Sequence, residues 1–227
     1  MHTLNQQSTK QDAATAFEKL CQATQNEQSA LVSIPIIQKA LQGQIPLTTY
    51  IAFLTQAYHH VKHTVPLLML TGSKICEQDE WLRSMMAEYI EEELGHEKWI
   101  LNDIEACGGD KQKVAQSEPD FATEMMVAYA YDSINRIDPL CFLGMVHVLE
   151  GTSVQLATNA ANKIKESLGL PQKAFSYLIS HGDLDIDHQK FFEDLVNRLD
   201  NKQLAVVIKS CKRFYQLYGN IFRGIAT

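Results

Sequence analysis

Apolar residues recur along this chain at i, i+3, i+4 and i+7 rather than at alternate positions, so the pattern predicts helices throughout. No strand-like run lies between turn signals. A first helix is expected over about residues 12–24 and a second over about 29–41, kinked at Pro35, after which GQIP turns the chain. A third is expected over about 48–70 and a fourth over about 78–106, the latter stopped by Gly108 and Gly109. After a polar connection, a fifth spans about 118–135. A sixth starts after Asp138-Pro139, with the proline in an N1-like position, and continues to about 168. Gly169 and Pro171 separate it from a segment containing HGDLDIDH, and a last helix covers about 202–218. No internal repeat, low-complexity tract or linker interrupts this order, so 1–227 reads as one all-α domain with a polar N-terminal lead of about ten residues.

Composition narrows the class. The 227 residues, 45% hydrophobic and 21% charged, can bury one sizeable core and demand no second domain. A net charge of −7 without a dense Lys/Arg stripe argues against nucleic acid or an anionic membrane as partner. The stretch MHTLNQQSTKQDAATAF lacks a signal-peptide core, and no later segment approaches the apolar length of a membrane span, so the expected location is the cytoplasm. Cys21, Cys76, Cys107, Cys141 and Cys211 are odd in number and scattered, with no C-x-x-C, and read as reduced thiols.

Candidate chemistry begins in HGDLDIDH. On a helix turning about 100° per residue, His181, Asp185 and His188 share one side, Asp185 about 40° and His188 about 20° from His181. Imidazole and carboxylate together suit Fe, Mn and Zn. The competing interpretation is a helix start in which Asp185 caps and the histidines are solvated. Gly182 raises the further prospect that one helix ends at His181 and another begins at Asp185.

Two other stretches point the same way. In AEYIEEELGHEKW, Glu93 and His96 form a Glu-x-x-His pair of the kind that presents two metal ligands from a helix. Glu92 is the reserve carboxylate, because on a regular helix it lies about 40° from His96 against about 60° for Glu93. Glu150 stands in the otherwise apolar LCFLGMVHVLEGTSVQLA, where a buried carboxylate needs a metal, a proton or a partner. His147 is the local non-metal partner.

The ordered set Glu93, His96, Glu150, His181, Asp185 and His188 resembles the haem-oxygenase-like di-iron oxidases and oxygenases, in a superfamily that also holds haem oxygenases and the TenA and PqqC proteins. The resemblance runs from LTQAYHHVKHTVPLLM through EEELGHEKWILNDIEACGG to HGDLDIDHQKFFEDLVNRL. It implies a single-domain helical bundle, two iron ions with manganese as the other compatible metal, dioxygen as co-substrate, a small-molecule substrate and a homodimer. Of the reactions found among similar proteins, N-oxygenation, C–H hydroxylation and oxidative C–C cleavage, the sequence selects none.

YHHVKHTVPLLM places Tyr58, His59 and His63 near one another, and related proteins border a central cavity with this helix, so these are candidate pocket residues; histidines at a core edge are the plainer interpretation. Four alternatives stand beside the di-iron oxidase. DPLC, containing Cys141, resembles the Pro-Cys element of TenA hydrolases, although Leu140 separates Pro139 from Cys141 and the thiol lies about 180° from Glu150 on a continuous helix. A PqqC-like metal-free oxidase would need basic residues facing the cavity. A haem site would need a proximal histidine from an early helix. A non-catalytic helical interaction protein would leave the six potential ligands unexplained.

Overall fold

A computed structural model describes residues 14–225, excepting the side chains of residue 155 and residues 181–188. The elements are α1 (Ala16–Val32), α2 (Pro35–Leu41), α3 (Leu47–Val61), α4 (Thr64–Lys74), α5 (Glu80–Glu93), α6 (His96–Ala106), α7 (Lys111–Ala115), α8 (Phe121–Arg136), α9 (Cys141–Leu168), α10 (Ser176–Asn197) and α11 (Asn201–Gly224). Two 3₁₀ turns, Glu77–Asp79 and Gln172–Ala174, precede α5 and α10. Among the described residues every regular element is helical, as the periodicity predicts.

Local chemistry sets the boundaries. Thr15 and Asp200 each build a capping box, with Glu18 and Gln203, at the starts of α1 and α11. Three expected helices are each split in two. Pro35 holds Ile34 in an extended conformation and opens α2 as its first residue, so the chain ends one helix and starts another where a kink was expected. The 48–70 helix divides at Lys62 and His63, and Pro66 then falls in the first turn of α4, where its missing N–H costs nothing. The 78–106 helix divides at Leu94 and Gly95, the glycine adopting φ 92°. Gly182, by contrast, ends nothing: α10 runs through it.

α9 is the axis of the bundle, packed against α2, α8, α10 and α11. Its N-terminal half is buried from Leu140 to Val148. At Gly144 it meets α11 so closely that an added Cβ would lie 2.7 Å from the Cys211 backbone nitrogen. The Ser210 hydroxyl donates to the Cys141 carbonyl at 2.6 Å across the same contact. α10 is fixed at its start by two long-range ties: Asp103 of α6 accepts from the backbone N–H groups of Ser176 and Tyr177, and the Tyr50 hydroxyl donates to the Ala174 carbonyl at 2.9 Å. Among the described residues, no helix is long and apolar enough to cross a membrane.

Candidate metal centre and cavity

The Glu-x-x-His pair spans a joint rather than a continuous helix. α5 ends at Glu93, Leu94 is extended, Gly95 is left-handed and His96 opens α6. This brings Glu93 Oε2 to 3.0 Å from His96 Nδ1, with both side chains buried. A carboxylate oxygen only accepts, so in the neutral ring Nδ1 carries the hydrogen and Nε2 the lone pair. A carboxylate orients metal-binding imidazoles in this way. Glu93 is 8% exposed, whereas Glu92 is exposed, so the inward acid is Glu93. Trp99 stacks on the His96 ring with centroids 4.1 Å apart.

Glu150 reaches the same cavity as Glu93. The cavity holds about 150 Å³, and Glu93 and Glu150 are the only charged residues among the described side chains that line it. Tyr89, one turn before Glu93 on α5, is almost fully buried beside both acids. Burial first, then the charges of Glu150, Glu93 and Glu92, holds its phenol well above the ordinary range. Its ring meets Phe191 of α10 edge-on, centroids 4.9 Å apart, so Tyr89 links α5 to α9 and α10. No motif in the sequence singles out Tyr89; the available signal is its i−4 relation to Glu93, which puts the two on one helical face.

The side chains of His181, Asp185 and His188 lie outside the described residues; α10 carries all three on one helix. Among the described residues no three His, Cys, Asp or Glu side chains form a complete metal-holding group. Glu93, His96 and Glu150 do not by themselves make such a group; two carboxylates and an imidazole are donor types that suit iron, and the other three donors expected from the sequence all belong to α10.

Tyr58, His59 and His63 do not line the cavity. From α3, the residues Thr49, Tyr50, Phe53 and Val61 reach it instead. The three candidates gather at the α3–α4 joint, where His59 Nε2 is 3.0 Å from Ser117 Oγ, Lys62 Nζ is 3.3 Å from His59 Nδ1, and His63 Nδ1 is 3.1 Å from the Tyr131 hydroxyl. Lys62 also lies over the Tyr58 ring, 5.3 Å from its centroid. Burial, then the Lys62 charge, pushes both histidines below their ordinary range. His147 packs against the rings of Phe17, Phe192 and Tyr215, and burial alone pushes it down to about 4. Cys141 is buried and does not line the cavity. Burial, then Asp138, raises its thiol, the reverse of an activated nucleophile.

A family profile described as "iron-containing redox enzyme" matches residues 51–219. Among solved structures, a domain of unknown function with a haem-oxygenase-like fold from Shewanella denitrificans OS217 has a TM-score of 0.84 at 23% identity, covering 92% of this chain and 91% of that one. A TenA homologue from Pseudomonas syringae pv. tomato DC3000 has a TM-score of 0.78 at 11% identity, covering 98% of both chains. The haem oxygenase of Leptospira interrogans has a TM-score of 0.70 at 15% identity, covering 92% of this chain and 98% of that one. These likenesses show the haem-oxygenase-like fold expected from the sequence. No curated protein matches the chain.

Proposed function

Because the chain belongs to the iron-containing redox enzyme family, we propose that it is a non-haem di-iron oxidase or oxygenase that uses dioxygen to oxidise a small organic molecule. The observation that carries this reading is the meeting of two carboxylates, Glu93 and Glu150, at one apolar cavity, with His96 held against Glu93 at 3.0 Å. Two carboxylates lining one largely apolar cavity, with an imidazole against one of them, are donors that suit a bound cation.

In this reading Glu93, His96 and Glu150 would hold iron together with His181, Asp185 and His188 of α10. Iron bound there would supply the electrons and the binding position for dioxygen. Glu93 orients His96 through its Nδ1–H, and the apolar walls keep water from the reacting end. Tyr89, its phenol held protonated beside the acids, is placed to donate a hydrogen bond to a carboxylate. The acidic chain, of net charge −7, acts on a small molecule in the cytoplasm as a homodimer, without nucleic-acid or membrane partners.

Anaerobic titration with Fe(II), followed by metal analysis and oxygen uptake, tests the reading. About two ions per chain are expected, as six side-chain donors suit two open metals better than one. Glu150→Ala should lower iron content and oxygen uptake, and Cys141→Ser should leave both unchanged. Saturation at one ion, or thiamine hydrolysis lost in Cys141→Ser without metal dependence, overturns it.

A further inference from the structure

We propose that the cavity selects an extended, unbranched aliphatic chain whose head is uncharged and whose reacting end lies at Glu93 and Glu150. The assignment of that end rests on the di-iron reading; the selection of the chain rests on the cavity itself.

Shape is the first argument. Along α9 the lining runs from Phe142 to Ile164, and beyond Glu150 the positions Ser153, Ala157, Ala160 and Ile164 continue at three- and four-residue steps along one stripe. That stripe covers about four turns, roughly 21 Å of helix axis. Spread along such a length, about 150 Å³ leaves width for a single file of atoms. A compact cavity of about that volume would instead suit a single small ring, as in the known apolar cavity that binds benzene. The two alanines keep the passage open on the α9 side, and Ile37 of α2 is among the apolar residues that complete its wall.

Chemistry is the second argument. No Lys, Arg or His occurs among the described lining residues, so none of the described side chains offers a cation to a carboxylate, phosphate or sulfate head. Of the hydroxyls in the lining, Tyr50 donates to the Ala174 carbonyl at 2.9 Å and Thr152 to the Val148 carbonyl at 2.6 Å, while Thr49, Thr64, Ser153, Tyr177 and Tyr218 also line the cavity. Most of the lining is apolar, so a ligand rich in polar groups would recover few of the hydrogen bonds it loses to water. A methylene chain loses nothing of that kind and gains affinity with every carbon buried.

The test uses the full chain freed of metal with a chelator, so that its outcome is independent of iron loading. Calorimetric titration with 1-hexanol, 1-octanol and 1-decanol should show affinity rising about fourfold for each added methylene. Octanoate, whose head would meet two carboxylates, should bind roughly tenfold more weakly than octanol or worse. Affinity independent of chain length, 1-adamantanol binding as tightly as 1-octanol, or octanoate equalling octanol would each overturn the proposal. Ala157→Phe, which fills the passage, should abolish octanol binding while circular dichroism shows a folded bundle. Ala160→Val serves as the milder obstruction if Ala157→Phe does not fold, and unchanged octanol affinity in a folded obstructed variant overturns the proposal. Failure of the Fe(II) titration with the alkanol series intact would instead remove the di-iron reading and leave the chain selectivity standing.

Discussion

The carboxylate of Asp103 accepts a hydrogen bond from the backbone N–H of Tyr177 at 2.8 Å, tying the helix that begins with His96 to the start of the helix that carries His181, Asp185 and His188. A second bond, from the N–H of Ser176 at 3.0 Å, completes the clamp. Asp103 is fully buried, and both bonds reach the first turn of α10, where backbone donors have no intrahelical partner. The carboxylate also complements the positive end of the helix dipole.

Asp103→Ala should therefore destabilise the chain by about 2 kcal/mol in urea titration, the scale of losing bonds to a charged acceptor. Amide exchange should accelerate in the first turn of α10 before it does in α9. Unchanged exchange at Ser176 and Tyr177 would show that the clamp does not hold α10 in place.

Gly95 offers a second, independent handle. An added Cβ there would meet nothing within 4 Å, so the penalty of Gly95→Ala comes from the positive φ of 92° alone. That strain is about 1–2 kcal/mol. Relieving it would shift the joint that sets the Glu93–His96 contact, so iron affinity should fall along with the melting temperature. Gly151→Ala is the control: its Cβ also finds open space, but the residue is helical and has no positive φ, so stability should rise by about 0.5–1 kcal/mol. Equal melting temperatures for the two variants would contradict a strained joint.

The helical class and the approximate extent of α9 are legible in the sequence because both depend on local periodicity and on stops such as Gly169. The breaks at Lys62–His63 and Leu94–Gly95 are harder to see. Apolar spacing continues across each, and a left-handed glycine looks the same in sequence as a helical one. Glu93 could be named as a candidate but not separated from Glu92, since regular-helix angles favour Glu92 and only the Gly95 joint turns Glu93 inward. Tyr58, His59 and His63 share a short stretch, yet the same stretch contains the α3–α4 joint, which sends them toward Ser117 and Tyr131. Burial beside distant elements, as at Tyr89, is fixed by packing that no local pattern encodes.

Gly144 tests a close contact between α9 and α11. With the Cys211 backbone nitrogen and Ser210 Cβ both 2.7 Å from where an alanine methyl would stand, Gly144→Ala must push α11 away from α9. Overpacking of this kind costs about 1–3 kcal/mol, more than the gain in helix propensity. Chemical denaturation should show that loss. A variant as stable as the parent would mean that the two helices separate without cost.

The last prediction concerns acid stability. His147 is 7% exposed, enclosed by Phe17, Phe192 and Tyr215, and its folded pKa of about 4 lies below the ordinary value of 6.5. The folded protein thus binds this proton less readily than the unfolded chain. The resulting contribution to stability is complete above pH 6.5 and is lost as pH falls toward 4, about 3 kcal/mol in all. Asp103 acts in the opposite sense: burial raises its carboxyl, so its contribution falls as pH rises through the carboxylate range. Because Asp103 is common to both proteins, comparing the parent with His147→Phe isolates the histidine. Urea titrations at pH 7 and pH 4.5 should show the parent losing most of that stability on acidification, beyond whatever the variant loses. If both proteins weaken by the same amount, protonation of His147 is not what limits the fold in acid.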